Sequence, residues 1–195
     1  MNFDALPRTD DAAQARLHAR LVADAEREGL LDVAYRTVDT PVGSLLLAAT
    51  PLGLVRVAYE TVGHDAALAQ LADTVSPRIL AAPRRLDATA RQLDEYFAGR
   101  RTAFDVPLDL RLATDFRRSV LVHLRDIGYG RTESYAQVAE AVGNPRAVRA
   151  VGSACSTNPV PVVVPCHRVI KSDGSLGRYT GSPQAKQTLL GLEAA

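Results

Sequence analysis

Ser134-Tyr135-Ala136-Gln137, followed six residues on by Gly143-Asn144-Pro145-Arg146-Ala147-Val148-Arg149-Ala150-Val151-Gly152, is the most informative punctuation in the chain. A Ser three residues ahead of a Gln has the capping-box form: the hydroxyl takes a first-turn N–H and the Gln side chain reaches back to the backbone of the cap. A short helix to Val142 follows, and Gly143 ends it. Asn144 is placed to cap a second helix with Pro145 at its first position, where a missing N–H costs nothing, so a helix is predicted over residues 145–156. It carries Arg146 and Arg149 among Ala147, Ala150, Gly152 and Ala154. Small side chains let a helix backbone approach a nucleic-acid groove closely, while one long Arg can enter a base stack. Helix pairs with a Gly turn are also common in proteins that never touch DNA, and the turn alone does not choose.

Working outward, Phe116, Val120, Leu121, Leu124 and Ile127 mark a preceding helix stopped by Gly128. In the first half, residues 10–28 read as an amphipathic helix with Ala13, Leu17, Leu21 and Ala25 on one stripe. Three short strands at residues 33–38, 44–49 and 54–59 are separated by Pro-Val-Gly and Pro-Leu-Gly turns, an antiparallel meander. Two helical patterns follow, through Leu68, Leu71 and Val75 and through Leu86, Ala90, Leu93 and Phe97. Phe104, Val106, Leu108 and Leu110 alternate with polar residues and either add an extended segment or cross to a second domain. The expected division is a helical extension at 1–32, an α/β domain at 33–109 and a mainly helical domain at 110–195, an α+β protein overall.

The 195 residues, 47% hydrophobic and 23% charged, exclude disorder and collagen-like repeats. Apolar runs are far shorter than the roughly 20 residues of a membrane helix, and no basic segment precedes an apolar one at the start. The expected location is the cytoplasm. Cys155 and Cys166 are too few for a disulfide framework or a four-thiolate zinc site. The net charge of +1 hides an asymmetry: 12 Arg against 15 acidic residues give −3 up to residue 108, and 11 basic against 7 acidic give +4 beyond it. A polyanion would meet the second half, although so small an excess also falls within ordinary surface variation.

The chemistry concentrates in residues 158–170, where a stiff apolar run ends in Pro165-Cys166-His167-Arg168-Val169. A thiolate is a strong nucleophile, and neighbouring cations or donors favour it over the thiol. Side chains of adjacent residues diverge, so a water is the expected carrier of a proton from Cys166 to His167. The bland alternative is a buried structural Cys followed by a surface His and Arg.

Pro165-Cys166-His167-Arg168-Val169, together with Ser134-Tyr135, Arg149-Ala150-Val151-Gly152, Asn158-Pro159, Gly177-Arg178-Tyr179-Thr180-Gly181 and Glu193, resembles the O6-alkylguanine-DNA alkyltransferases, also called methylated-DNA–protein-cysteine methyltransferases. The resemblance covers the whole second half, and from Val33 the first half looks like that family's variable N-terminal domain. It implies a ribonuclease H-like sheet domain followed by a winged helix-turn-helix domain with Asp173-Gly174 at the tip of the wing. Cys166 would accept the alkyl group irreversibly, one turnover per molecule. His167 and Glu193 with a water would form the relay, Asn158 would bridge the turn to it, and Tyr135 would hydrogen-bond the purine as guanine leaves. Val169, through its carbonyl, and Thr180 would bind the base, with Pro161, Tyr179 and Gly181 shaping the pocket. Arg149 would fill the gap left by the flipped base, with Arg146, Ala147, Ala150 and Gly152 at the minor groove of double-stranded DNA. O4-alkylthymine is a further candidate substrate. No cofactor is implied, and a monomer is expected, with cooperative binding on DNA left open.

The chain departs from the family's pattern in three places. Gly128 stands where Pro is usual and Ser182 where a second Gly is usual, both as turn changes. Cys155 lies in the recognition helix and reads as a small packing residue. The structural zinc of some relatives lacks ligands here: the first half has no Cys, and His18 and His64 cannot supply a tetrahedral site, so no metal is expected. The rival reading is a lesion-binding, alkyltransferase-like damage sensor without transfer, which would lack the acceptor Cys that this chain keeps. A transcriptional regulator would need a further domain, and a Cys–His hydrolase would need an oxyanion hole.

Overall fold

The computed structural model describes residues 10–194. Asp10 caps α1 (Asp11–Arg27) by accepting from the Ala12 N–H. β1 (Val33–Val38), β2 (Leu45–Thr50) and β3 (Gly53–Tyr59) form the expected antiparallel meander. A three-residue strand that the sequence reading missed, β4 (Ile79–Ala81), pairs parallel to β1, so the sheet is mixed and runs β3-β2-β1-β4. Every residue of β2 is buried, as an unbroken apolar run with both sheet faces covered requires. Leu46 packs with Ala67 of α2 (His64–Thr74), and Leu45 and Leu47 join Leu93 and Tyr96 of α3 (Asp87–Phe97) in the main core. That core continues into the second half, through Val120, Val151 and Cys166.

The second half comprises α4 (Asp115–Leu124), β5 (Glu133–Ser134), α5 (Tyr135–Ala141), α6 (Val148–Ser156), β6 (Val169–Ile170) and α7 (Pro183–Glu193). The capping box at the head of α5 forms in full: Gln137 N–H donates to Ser134 Oγ at 3.2 Å, and Ser134 N–H donates to Gln137 Oε1 at 2.7 Å.

Three local expectations change. α6 starts at Val148 rather than Pro145, because residues 144–147 close a separate turn in which the Ala147 N–H donates to the Asn144 carbonyl. Arg146 and Ala147 therefore precede the helix. α1 is present, but its stripe is not buried as a unit: Leu17 is 68% and Leu21 52% exposed, and the helix docks through Val22 and Ala25 against Ala34 and Ala82. The wing is a tight turn, closed by Lys171 N–H on Ser175 O, without a second strand among the described residues.

β3 lies at the sheet edge, and the rest of the chain covers it. Leu54 N–H donates to Pro107 O at 2.8 Å, and Asp109 N–H returns to Leu54 O at 2.9 Å. A side chain at Gly53 would overlap the Pro107 carbonyl, so only glycine permits this approach. Further along, Val57 N–H donates to Pro159 O at 2.7 Å. The edge strand thus holds both the crossing segment and the turn that carries Asn158. No helix among the described residues is long and apolar enough to cross a membrane.

Candidate active site

The turn at residues 160–164 is closed by Val164 N–H on Val160 O, and it places Val162 in the left-handed region at φ 72. For a β-branched residue that is a strained conformation, and it sits four residues before Cys166. Asn158 organises the turn from inside: its Oδ1 accepts from Val160 N–H at 3.0 Å, and its Nδ2 donates to Val164 O at 2.9 Å and to Cys166 Sγ at 3.2 Å. Cys166, His167 and Arg168 form one 3-10 turn, and all three are buried. That burial removes the alternative of a surface His and Arg.

Three side chains converge on Glu193 at the end of α7. His167 Nε2 lies 2.8 Å from Oε1, and Arg168 grips both oxygens at 2.9 Å through Nε and Nη2. The third is Tyr96 of α3, whose hydroxyl donates to Oε1 at 2.7 Å. Burial alone would push the Glu193 carboxyl up, but the hydrogen bonds from His167 and Arg168, helped by Tyr96, outweigh it and hold it at about 2. Burial lowers the pKa of His167, with Glu193 opposing, so the imidazole tends to neutrality. Because an ionised Glu193 only accepts, Nε2 carries the hydrogen and Nδ1 the lone pair. Nδ1 is buried and has no hydrogen-bond partner among the described residues.

Burial raises the Cys166 thiol to about 11, with the Asn158 hydrogen bond and the charge of Lys186 pulling the other way. Lys186 is wholly buried on α7 and donates from Nζ to Val169 O at 2.6 Å. Burial lowers the pKa of its ammonium, and negative charge on Cys166 or Cys155 would raise it again. The structure therefore gathers Cys166, His167, Glu193 and Asn158 into one buried cluster, and adds Tyr96, Arg168 and Lys186 to it. Cys155 is buried in α6 among apolar neighbours.

On the solvent side, Tyr135, Arg149, Gly152, Lys171, Gly177 and Arg178 line a groove of about 480 Å³. Its charged walls are all basic. The Tyr135 ring lies on Gly177, where any side chain would collide with the hydroxyl. Arg149 and Ala150 are exposed on α6, whereas Arg146 and Ala147 lie in the turn ahead of it and do not line the groove. Tyr179, Thr180 and Gly181 follow the groove on one segment, and Pro161 is buried in the strained turn.

The ribonuclease-like domain of the 6-O-methylguanine DNA methyltransferases matches residues 33–110, and the DNA-binding domain of the same family matches residues 115–195. The chain belongs to that family. A methylated-DNA–protein-cysteine methyltransferase of Mycolicibacterium paratuberculosis is 44% identical over 166 residues, covering 83% of this chain and 92% of the relative. A constitutive one of Bacillus subtilis is 38% identical, covering 82% and 94%. Among solved structures, Mycobacterium tuberculosis O6-methylguanine methyltransferase superposes with a TM-score of 0.73 at 40% identity, covering 83% of this chain and 93% of that one. The M. tuberculosis protein in complex with DNA gives 0.71 at 40% identity over 83% and 92%. In this member of the methyltransferase family α1 lies ahead of both matched domains.

Proposed function

We propose that this chain repairs DNA by direct reversal, taking the alkyl group from O6 of guanine onto Cys166 and keeping it. The observation that carries the reading is Cys166 Sγ, held at 3.2 Å by Asn158, with His167 and Arg168 next in sequence and both paired, buried from solvent, with Glu193 of α7. In the resting protein the thiol is protonated, since burial raises it to about 11. A water passes its proton to the free Nδ1 of His167, whose other nitrogen is oriented by Glu193. The thiolate attacks the alkyl carbon in line, the C–O bond breaks, and its electron pair enters the purine. Tyr135 hydrogen-bonds the leaving ring, and the thiol proton ends on guanine. The product is S-alkylcysteine, with no step that restores the thiol, so each molecule acts once.

The target atom lies inside the duplex, so the base must turn out at a cost of a few kcal/mol, least for a badly paired one. The basic groove supports a duplex entering by its minor groove, with Arg149 filling the gap and the small residues of α6 allowing close approach. Val169 O and Thr180 bind the base, Pro161, Tyr179 and Gly181 wall the alkyl group, and O4-alkylthymine presents a comparable alkoxy group to the same walls. The Val169 carbonyl already accepts from Lys186 and has a second lone pair for the exocyclic amine. The protein works as a cytoplasmic monomer.

Intact-protein mass after mixing with a duplex carrying one O6-methylguanine, with a peptide map, tests the reading. One methylene mass on Cys166, stopping at one per molecule and absent from Cys166→Ala, is expected. Lesion binding with no mass gain would instead make the chain a damage sensor.

A further inference from the structure

Tyr59 closes β3, in the first half of the chain, yet it is only 3% exposed and meets the other half at Tyr179 and Gly181. Its hydroxyl lies 3.0 Å from that of Tyr179, and the two rings meet edge to face with centroids 5.9 Å apart. The ring also lies on the α-carbon of Gly181, where an added Cβ would come within 2.8–2.9 Å of three ring atoms. Two residues on, Thr61 Oγ1 donates to Gly181 O at 3.3 Å. Segment 179–181 is therefore fastened to Tyr59 and the turn after β3 by a hydroxyl pair, an aromatic contact and a side-chain hydrogen bond from Thr61. Burial pushes both phenols up, and negative charge on Cys166 would push them further the same way.

We propose that Tyr59 is a specificity-determining residue: it backs Tyr179 and Gly181 from the first half of the chain and thereby limits the size of the O6 substituent that reaches Cys166. This rests on the reading that segment 179–181 walls the alkyl group. A wall built from two long aromatic side chains cannot yield without moving one of them, because Gly181 has no side chain to compress and the ring of Tyr59 occupies that space. Truncating Tyr59 opens room behind Tyr179 and Gly181. Removing only its hydroxyl frees Tyr179 to swing while leaving the ring in place. A small substituent gains little from either change, whereas a benzyl group gains room that it can fill with apolar contact.

The test compares single-turnover transfer of benzyl and methyl groups from otherwise identical duplex oligonucleotides, in wild type, Tyr59→Ala and Tyr59→Phe. The expected result is a benzyl-to-methyl rate ratio raised about tenfold in Tyr59→Ala, corresponding to about 1.4 kcal/mol of relieved crowding, and raised to a smaller extent in Tyr59→Phe. An unchanged ratio in Tyr59→Phe, together with an unchanged ratio in any Tyr59→Ala protein that folds, overturns the proposal and leaves Tyr59 as packing only. Wild-type transfer of neither group would instead overturn the underlying transfer reading, so the two failures are distinguishable.

Discussion

Tyr96, on a helix of the ribonuclease-like half, donates its hydroxyl proton to the same oxygen of Glu193 that meets His167, 97 residues apart in sequence and 2.7 Å apart in space. The proposed relay thus draws on both halves of the chain. Tyr96 also packs its ring among Phe97, Phe104 and Tyr129, and Tyr129 in turn donates to Leu192 O, so the helix and the relay are braced together. Tyr96→Phe keeps the ring and removes one hydrogen bond to a charged group, worth about 1.5–3 kcal/mol. The expected outcome is a lower melting temperature and slower methyl transfer at neutral pH. Full stability with undiminished transfer would show that His167 and Arg168 suffice to hold Glu193.

Acid should act on the same cluster. The folded-state pKa of Glu193, about 2, lies below its ordinary value of 4.5, so the carboxylate stabilises the fold above about pH 4.5 and that contribution fades as the pH falls through 2. Glu193→Gln removes this dependence but strands Arg168 without its counter-ion, at a cost of about 3–5 kcal/mol. Urea melts of both proteins across this range should converge toward acid pH. Parallel curves would mean that another group governs the acid limb.

Asn158 lowers a thiol that burial raises, so Asn158→Ala should move the Cys166 titration above about 11. The rate of transfer from free O6-benzylguanine, followed against pH, reads this without a contribution from DNA. An upward shift of the apparent midpoint is expected, and a lower plateau with the midpoint unmoved would assign Asn158 to the turn alone.

Arg149 stands exposed beside the basic groove. Arg149→Ala should slow methyl transfer from duplex DNA about tenfold while sparing a free base, since only the duplex leaves a gap to fill. Equal slowing on both substrates would argue against the gap-filling role, and a loss confined to the duplex that vanishes at high salt would point to phosphate contact alone.

Alkylation enlarges a side chain that is only 2% exposed and displaces the Asn158 donor from sulfur. Overpacking of this kind costs about 1–3 kcal/mol, which for a chain of this size lowers the melting temperature by about 2–4 °C per kcal/mol. Calorimetry of the methylated and free proteins checks it, and an unchanged temperature would imply unfilled space at the sulfur.

Much of this was legible before the structure because capping residues and Gly punctuation act locally: Ser134, Gln137 and Gly143 mark α5 within a residue. What stayed hidden depends on contacts distant in sequence. β4 has three residues and exists only because β1 offers a parallel edge. Tyr96 sits three positions after Leu93 on the buried face of α3, and a buried phenol requires a polar partner, but nothing local names Glu193 as that partner. Lys186 left a fainter trace, as one of two lysines in a chain that otherwise uses arginine for positive charge. Pro145 lies in a turn and not at the first position of α6, and its sequence cannot choose between the two because both take the same φ.

Arg168 and Glu193 are separated by 25 residues, a distance that matters while the chain is being made. When a ribosome has added Arg168, the thiol, imidazole and guanidinium exist, but the carboxylate that organises them does not. Until the last turn of α7 docks, His167 and Arg168 lack the carboxylate that orients them. Any truncation before Glu193 therefore yields a chain that holds the nucleophile but not the group that positions its proposed base.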